Sequence, residues 1–331
     1  MVRRSAAWVM MAVGALFITV TFTNHLFSVG PAFDRMSADF RPIMTSQEIA
    51  TYRGDINNLS AAVSELQTKA MPAIATQLGM TPQAFNAFMG QQFPAVANGL
   101  QIVPSATQQF GGVIDVLDNE RARFTQADQI PTNWLPAKTI PWTLLFVGIA
   151  LILAGWATLR GVINGLRFAL ALAVLLVVLP FGMSLPSKAS SADTMNKNLE
   201  PVYTQQLITG ANASLATLGA MGTEMQAKML PALAQSLHMS GSQLQGFLAT
   251  NFPTVAAELA VMPATMTRFG ALVSTFSDRL GDYNTLKPVS FVPIVWMIIG
   301  GGLVVTIFTG WAFVRPREKE VKLPVQVSKA A

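Results

Sequence analysis

Residues 142–183 read WTLLFVGIALILAGWATLRGVINGLRFALALAVLLVVLPFGM. Two apolar runs, Trp142–Leu159 and Phe168–Met183, flank a short link that carries Arg160 and Arg167. Each run is close to the ~20 residues an α-helix needs to cross the hydrocarbon core of a bilayer. Neither contains Asp, Glu, Lys or Arg. Trp142 and Trp156 bracket the first run, as expected of indole rings at headgroup depth. The stretch predicts two transmembrane helices joined by a basic loop, with Pro180 bending the outer end of the second.

The same composition recurs toward both ends of the chain. Ala6–Phe22 and Val292–Val314 are also free of charged residues, and Trp296 and Trp311 bracket the latter. Four spans follow. Across all 331 residues, 51% are hydrophobic and 12% charged, against roughly 25% charged in soluble proteins. Arg3 and Arg4 before an apolar core also fit a secretory signal. The length of the run, and the lack of a small-x-small cleavage site after it, favour an uncleaved anchor.

Arg3, Arg4, Arg160, Arg167, Arg315, Arg317, Lys319, Lys322 and Lys329 all flank the spans on one side, against only Glu318 and Glu320. The long connections on the other side are slightly acidic. The positive-inside rule therefore places both termini in the cytoplasm and both connections outside. The net charge of +5 reflects this orientation, and no nucleic-acid partner is expected. The expected organisation is a first transmembrane helix (1–27), a first outer helical domain (28–140), a second transmembrane helix (141–160) and a cytoplasmic loop (161–167). A third transmembrane helix (168–184), a second outer domain (185–290), a fourth transmembrane helix (291–314) and a basic cytoplasmic tail (315–331) complete it.

Shifting the chain by 159 residues lays one half on the other. Asp34 falls on Asp193, Pro42 on Pro201, Gln67 on Gln226, Lys69 on Lys228, Pro72 on Pro231, Phe88 on Phe247, Pro94 on Pro253 and Pro104 on Pro263. After a four-residue deletion, Gly155-Trp156-Ala157-x-x-Arg160 meets Gly310-Trp311-Ala312-x-x-Arg315. The pattern indicates a duplicated span–domain–span unit. Both copies then have the same orientation, which excludes an inverted-repeat transporter.

The outer domains read as helical. With Ser46 as N-cap, Ile49, Tyr52, Ile56, Leu59, Val63, Leu66 and Ala70 form a coiled-coil-like heptad seam. Thr81-Pro82 opens a short helix and Phe93-Pro94 a long descending one. The descending seam runs through Val96, Leu100, Val103, Thr107, Phe110, Ile114, Leu117 and Phe124, and Val255–Tyr283 repeats it. The fold expected is an all-α integral membrane protein. Its two helical-hairpin outer domains would pair as an elongated four-helix-bundle stalk, reaching roughly 50 Å at ~35 residues per helix.

Pro72, Pro104, Pro231 and Pro263 are expected as helix kinks near the tip. Beyond them lie two soft apolar heads. The first holds Met71, Ile74, Leu78, Met80, Phe85, Phe88, Met89 and Phe93; the second holds Leu230, Leu233, Leu237, Met239, Leu244, Phe247, Leu248 and Phe252. Two readings stand: a closed core, or a pocket or partner-binding surface to which Met and Phe adapt readily. Lys69 and Lys228 adjoin the heads as headgroup contacts or as solvated flanks. His238 stands where the first half has Gly79, which suits a surface or cap role. Gly302-x-x-x-Thr306-x-x-x-Gly310 marks a packing face in lipid.

Chemistry is not indicated. With no cysteine and two histidines, thiol nucleophiles, disulfides and multi-histidine metal centres are excluded or disfavoured. No catalytic or phosphate-loop motif is present, and neither a cofactor nor a metal is expected. Spans without ionisable residues argue against ion-coupled transport. The expected function is a non-enzymatic protein of a bacterial plasma membrane. Its outer domains would bind membrane lipid, another apolar ligand or an envelope protein partner, in an accessory or scaffold role. A sensor that needs a separate transducer is one alternative and a transporter component another.

Overall fold

In a computed structural model, residues 2–132 and 134–314 are described. Every regular element among them is a helix, and the one β-bridge, between Thr132 and Leu135, is isolated. The expected basic tail, 315–331, lies outside the described residues. The chain divides into two units.

The apolar unit consists of α1 (Val2–Thr23), α7 (Ile140–Leu159), α8 (Ile163–Gly182) and α14 (Phe291–Val314). All four helices are long and apolar enough to cross a membrane. They pack in a closed cycle, α1 on α7, α7 on α8, α8 on α14 and α14 on α1. Their outward faces carry large exposed apolar side chains, among them Trp8, Phe146, Val178 and Ile307. In water such a surface would be unfavourable; in hydrocarbon it is a matched one.

Close approach of α1 and α7 explains two glycines. A Cβ on Gly14 would stand 2.5 Å from the Gly148 carbonyl oxygen, and one on Gly148 would stand 2.8 Å from that of Gly14. Small residues let helix backbones meet where lipid gives no hydrophobic driving force. The Gly302–Thr306–Gly310 stripe is used at one end only. Gly302 abuts Ala173 of α8, whereas a Cβ on Gly310 would meet nothing within 4 Å among the described residues.

The helix ends differ from the sequence expectation where charge was taken as a boundary. The third apolar helix starts at Ile163 and so includes Arg167. The expected loop 161–167 shrinks to a link in which Gly161, at φ +86, ends the preceding helical run. A basic side chain at a helix end can extend its stem to the interface, so charge does not stop the helix there. Arg160 stacks over the Trp156 ring, 3.5 Å from its centroid.

The second unit holds the remaining elements. They are α2 (Leu26–Phe40), α3 (Ser46–Glu65), α4 (Met71–Gln77), α5 (Pro82–Gln92) and α6 (Pro94–Ala127), then α9 (Leu185–Leu199), α10 (Gln205–Glu224), α11 (Leu230–Ser236), α12 (Gly241–Asn251) and α13 (Pro253–Leu286). Each helix of the second series begins and ends 159 residues after its counterpart in the first. α3 packs on α6, α6 on α10, α10 on α13 and α13 on α3. One apolar core runs through both series.

The heptad seams are the core. Ile49, Tyr52, Leu59, Val63, Leu66 and Ala70 are buried, as are Val96, Val103, Phe110, Ile114 and Leu117 opposite them. The N-cap of α3 is Thr45 rather than Ser46. Thr45 has extended backbone, and its hydroxyl accepts from the Glu48 amide at 3.1 Å. The residue before the helix is the one free to adopt the non-helical φ/ψ that capping needs. Thr81 caps α5 in the same way, accepting from Ala84 N at 3.2 Å, with Pro82 at the first helical position.

The prolines are absorbed in two ways. Pro72 and Pro231 each follow one turn of π-helix, Leu66–Ala70 and Met225–Met229. A widened turn accommodates the ring and the missing donor without ending the helix. Pro104 and Pro263 lie inside α6 and α13. Proline cannot donate to the carbonyl four residues back, and those carbonyls find other donors. Gln67 Nε2 donates to Leu100 O, and Gln226 Nε2 to Leu259 O, each at 3.3 Å.

Gly79 (φ +66) and His238 (φ 56) end α4 and α11 in the left-handed conformation. The next amides, of Met80 and Met239, close each end on the carbonyls of Ala75 and Ala234 at 2.9 Å. His238 is thus a helix C-terminal residue, placed where glycine is the unstrained choice.

Candidate functional site

The sixteen head residues singled out from sequence all belong to the core or pack against it. Ile74, Phe85, Met89, Phe93, Leu233, Leu244, Leu248 and Phe252 are buried; Met71, Leu78, Met80, Phe88, Leu230, Leu237, Met239 and Phe247 are partly so. In the first head, Phe88 lies 6.4 Å from Phe85 and 5.9 Å from Phe93 between ring centroids. In the second, Leu244 stands where the first has Phe85. That replacement removes an aromatic ring from the wall between α11 and α12.

An open groove lies there, with a volume of about 950 Å³. Leu230, Met239, Leu244 and Leu248 line it from α11, α12 and the turn between them, and Ala256, Leu259 and Ala260 line it from α13. Gln226, Gln235 and Gln245 supply polar groups. This volume falls within the ~300–1,000 Å³ of sites that enclose small ligands. Four of the sixteen head residues therefore line the groove, and the other twelve do not.

Lys69 and Lys228 are exposed but paired. Their ammonium groups lie 3.6 and 3.3 Å from Oε1 of Glu65 and Glu224, one helical turn earlier. The other oxygen of each glutamate crosses to the opposite series. Glu224 Oε2 accepts from Ala95 N at 2.7 Å and Val96 N at 3.0 Å, at the start of α6. Glu65 Oε2 accepts from Thr254 N at 2.9 Å and Val255 N at 3.0 Å, at the start of α13. These helices begin at Phe93-Pro94 and Phe252-Pro253 without a capping side chain of their own. Each borrows one, where the helix dipole also favours a carboxylate. Burial opposes ionisation of Glu65 and Glu224, but the amides and the lysines outweigh it and hold both carboxyls below 4.5.

Sequence reasoning missed these two glutamates. The readable signal was a Glu four residues before each matched lysine, at the common offset of 159. What each carboxylate meets is set only by folding.

A third buried glutamate breaks the correspondence between the series. Glu258 of α13 stands where α6 has Gly99, and Met221 fills the space beside that glycine. Glu258 is 5% exposed and faces a void of about 30 Å³ among Leu59, Val63, Met221 and Met225. Its Oε1 has no hydrogen-bond partner. Burial, and then the charge of Asp55, push its carboxyl up to about 7, while Arg268 pulls the other way. Asp55 and Arg268 themselves form a two-pronged pair at 2.6 and 2.8 Å. It ties α3 to α13.

No group of three or more His, Asp or Glu able to hold a metal occurs among the described residues. The chain matches no known protein family, and no curated protein is similar to it. The site is therefore read from its own chemistry: a mostly apolar groove with amide side chains and no nucleophile–base pair.

Proposed function

We propose that this chain is a non-enzymatic multi-pass membrane protein of a bacterial envelope that binds a lipid at the α11–α12–α13 groove. Its two series of helices arise by duplication and pair as one four-helix bundle. The basic residues beside the spans orient both termini to the cytoplasm and the bundle outward. The protein serves as an accessory or scaffold subunit. The observation that carries this reading is the groove of about 950 Å³, walled by Leu230, Met239, Leu244 and Leu248. Leu244 and Leu248 form its buried floor, and Leu230 and Met239 keep part of their apolar surface open at it, where an acyl chain would remove that surface from water at ~25 cal/mol per Å².

The double variant Leu244→Phe/Ala260→Gln tests it by placing first-half residues, Phe85 and Gln101, at the matching second-half positions. Both residues already occur in the same helical setting, so the fold is expected to persist. Full-length protein purified in mild detergent should carry lipid detectable by mass spectrometry. The variant should carry about tenfold less, with unchanged circular dichroism. Equal lipid in both proteins, or none in either, would overturn the reading.

A further inference from the structure

From the charge of its lining, we infer that the groove selects a lipid with an uncharged, hydroxyl-bearing head, such as a monoacylglycerol or a glycosylated lipid. This rests on the groove being a lipid site and adds which head group it takes. None of the side chains that line it is ionisable. The polar ones are three amides. Gln226 spends its Nε2 on Leu259 O and keeps its carbonyl oxygen. Gln235 and Gln245, both exposed at the groove, make no side-chain hydrogen bond within the described residues. Each offers two N–H donors and one acceptor oxygen.

That set matches hydroxyl groups, which also donate and accept. It does not match a phosphate, which brings only acceptors at neutral pH and calls for Arg or Lys. The cation nearest in sequence, Lys228, is already paired with Glu224 at 3.3 Å. An anionic head would meet a neutral Lys–Glu pair, and its desolvation would go uncompensated.

Delipidated full-length protein in an uncharged detergent tests this by native mass spectrometry against three single-chain lipids of equal acyl length: monoacylglycerol, lysophosphatidylcholine and lysophosphatidylglycerol. Monoacylglycerol is expected to bind about tenfold more tightly than lysophosphatidylglycerol. Its affinity should be the same at about 50 and 500 mM salt, since screening acts only on charge. Gln235→Ala/Gln245→Ala should weaken monoacylglycerol binding and so narrow the preference, while acyl-chain binding is retained. Preferential, salt-sensitive binding of lysophosphatidylglycerol, or equal binding of all three, overturns the head-group assignment and leaves the lipid site standing. Binding of none, or a peptide segment of another protein in the groove, overturns both.

Discussion

Replacing Glu258 with leucine should make the protein more stable at pH 8, by about 2 kcal/mol. A carboxyl raised from the ordinary 4.5 to about 7 corresponds to roughly 3 kcal/mol of disfavoured ionisation. The expected gain is smaller because Arg268, itself a third exposed, connects the site to solvent screening. The sign follows from proton linkage. The folded state holds this proton to higher pH than the unfolded state does, so wild-type stability falls as pH rises from about 4.5 to about 7 and is flat above. The leucine variant should lack that limb, and its advantage should shrink toward pH 4.5. Leucine also removes a buried, unpartnered carboxylate oxygen, Oε1, and suits a residue that borders the apolar void among Leu59, Val63, Met221 and Met225. Denaturant titrations across pH in mild detergent would check this. A variant less stable than wild type at pH 8 would show that Glu258 is paired.

Glu65→Ala and Glu224→Ala should act in the opposite direction. Each removes a carboxylate that accepts from two amides at the start of a 34-residue helix. Each single variant should lower the thermal midpoint by about 5 °C, and the double variant by about twice that. Because their carboxyls are held below 4.5, the capping contribution is present above that pH and lost as pH falls beneath it. The wild type should therefore be most stable near pH 5, with acid loss from the crossed caps and neutral loss from Glu258. An alanine variant whose midpoint is unchanged at pH 7 would show that water serves these amides equally well.

The apolar helices were legible because their apolar runs are long, continuous and uncharged, and tryptophans bracket two of them, in α7 and α14. The third helix starts at Ile163, before Arg167, because a basic residue that reads as a boundary in sequence is tolerated at a helix end. Thr81-Pro82 and Phe93-Pro94 announced helix starts through local chemistry, and those starts stand. Sequence alone does not separate Thr45 from Ser46, because both are good caps and only the backbone distinguishes them. α2 and α9 were not anticipated: Pro31 lies within α2, and α9 carries few apolar residues.

The site was less legible than the helices. The apolar heads were visible as composition, but core and groove draw on the same residues. Which of them border open space, Leu230, Met239, Leu244 and Leu248 among them, is set only once α11, α12 and α13 come together. Glu65 and Glu224 were silent for a related reason, since their partners lie 189–190 and 128–129 residues away.

The most direct measurement is photo-crosslinking in native membranes with a lipid that carries a photoreactive group in its acyl chain, followed by peptide mapping. Adducts on the second-series residues 239–249 and 256–260, in addition to those on the four apolar helices, are the predicted result. Adducts confined to α1, α7, α8 and α14 would contradict it.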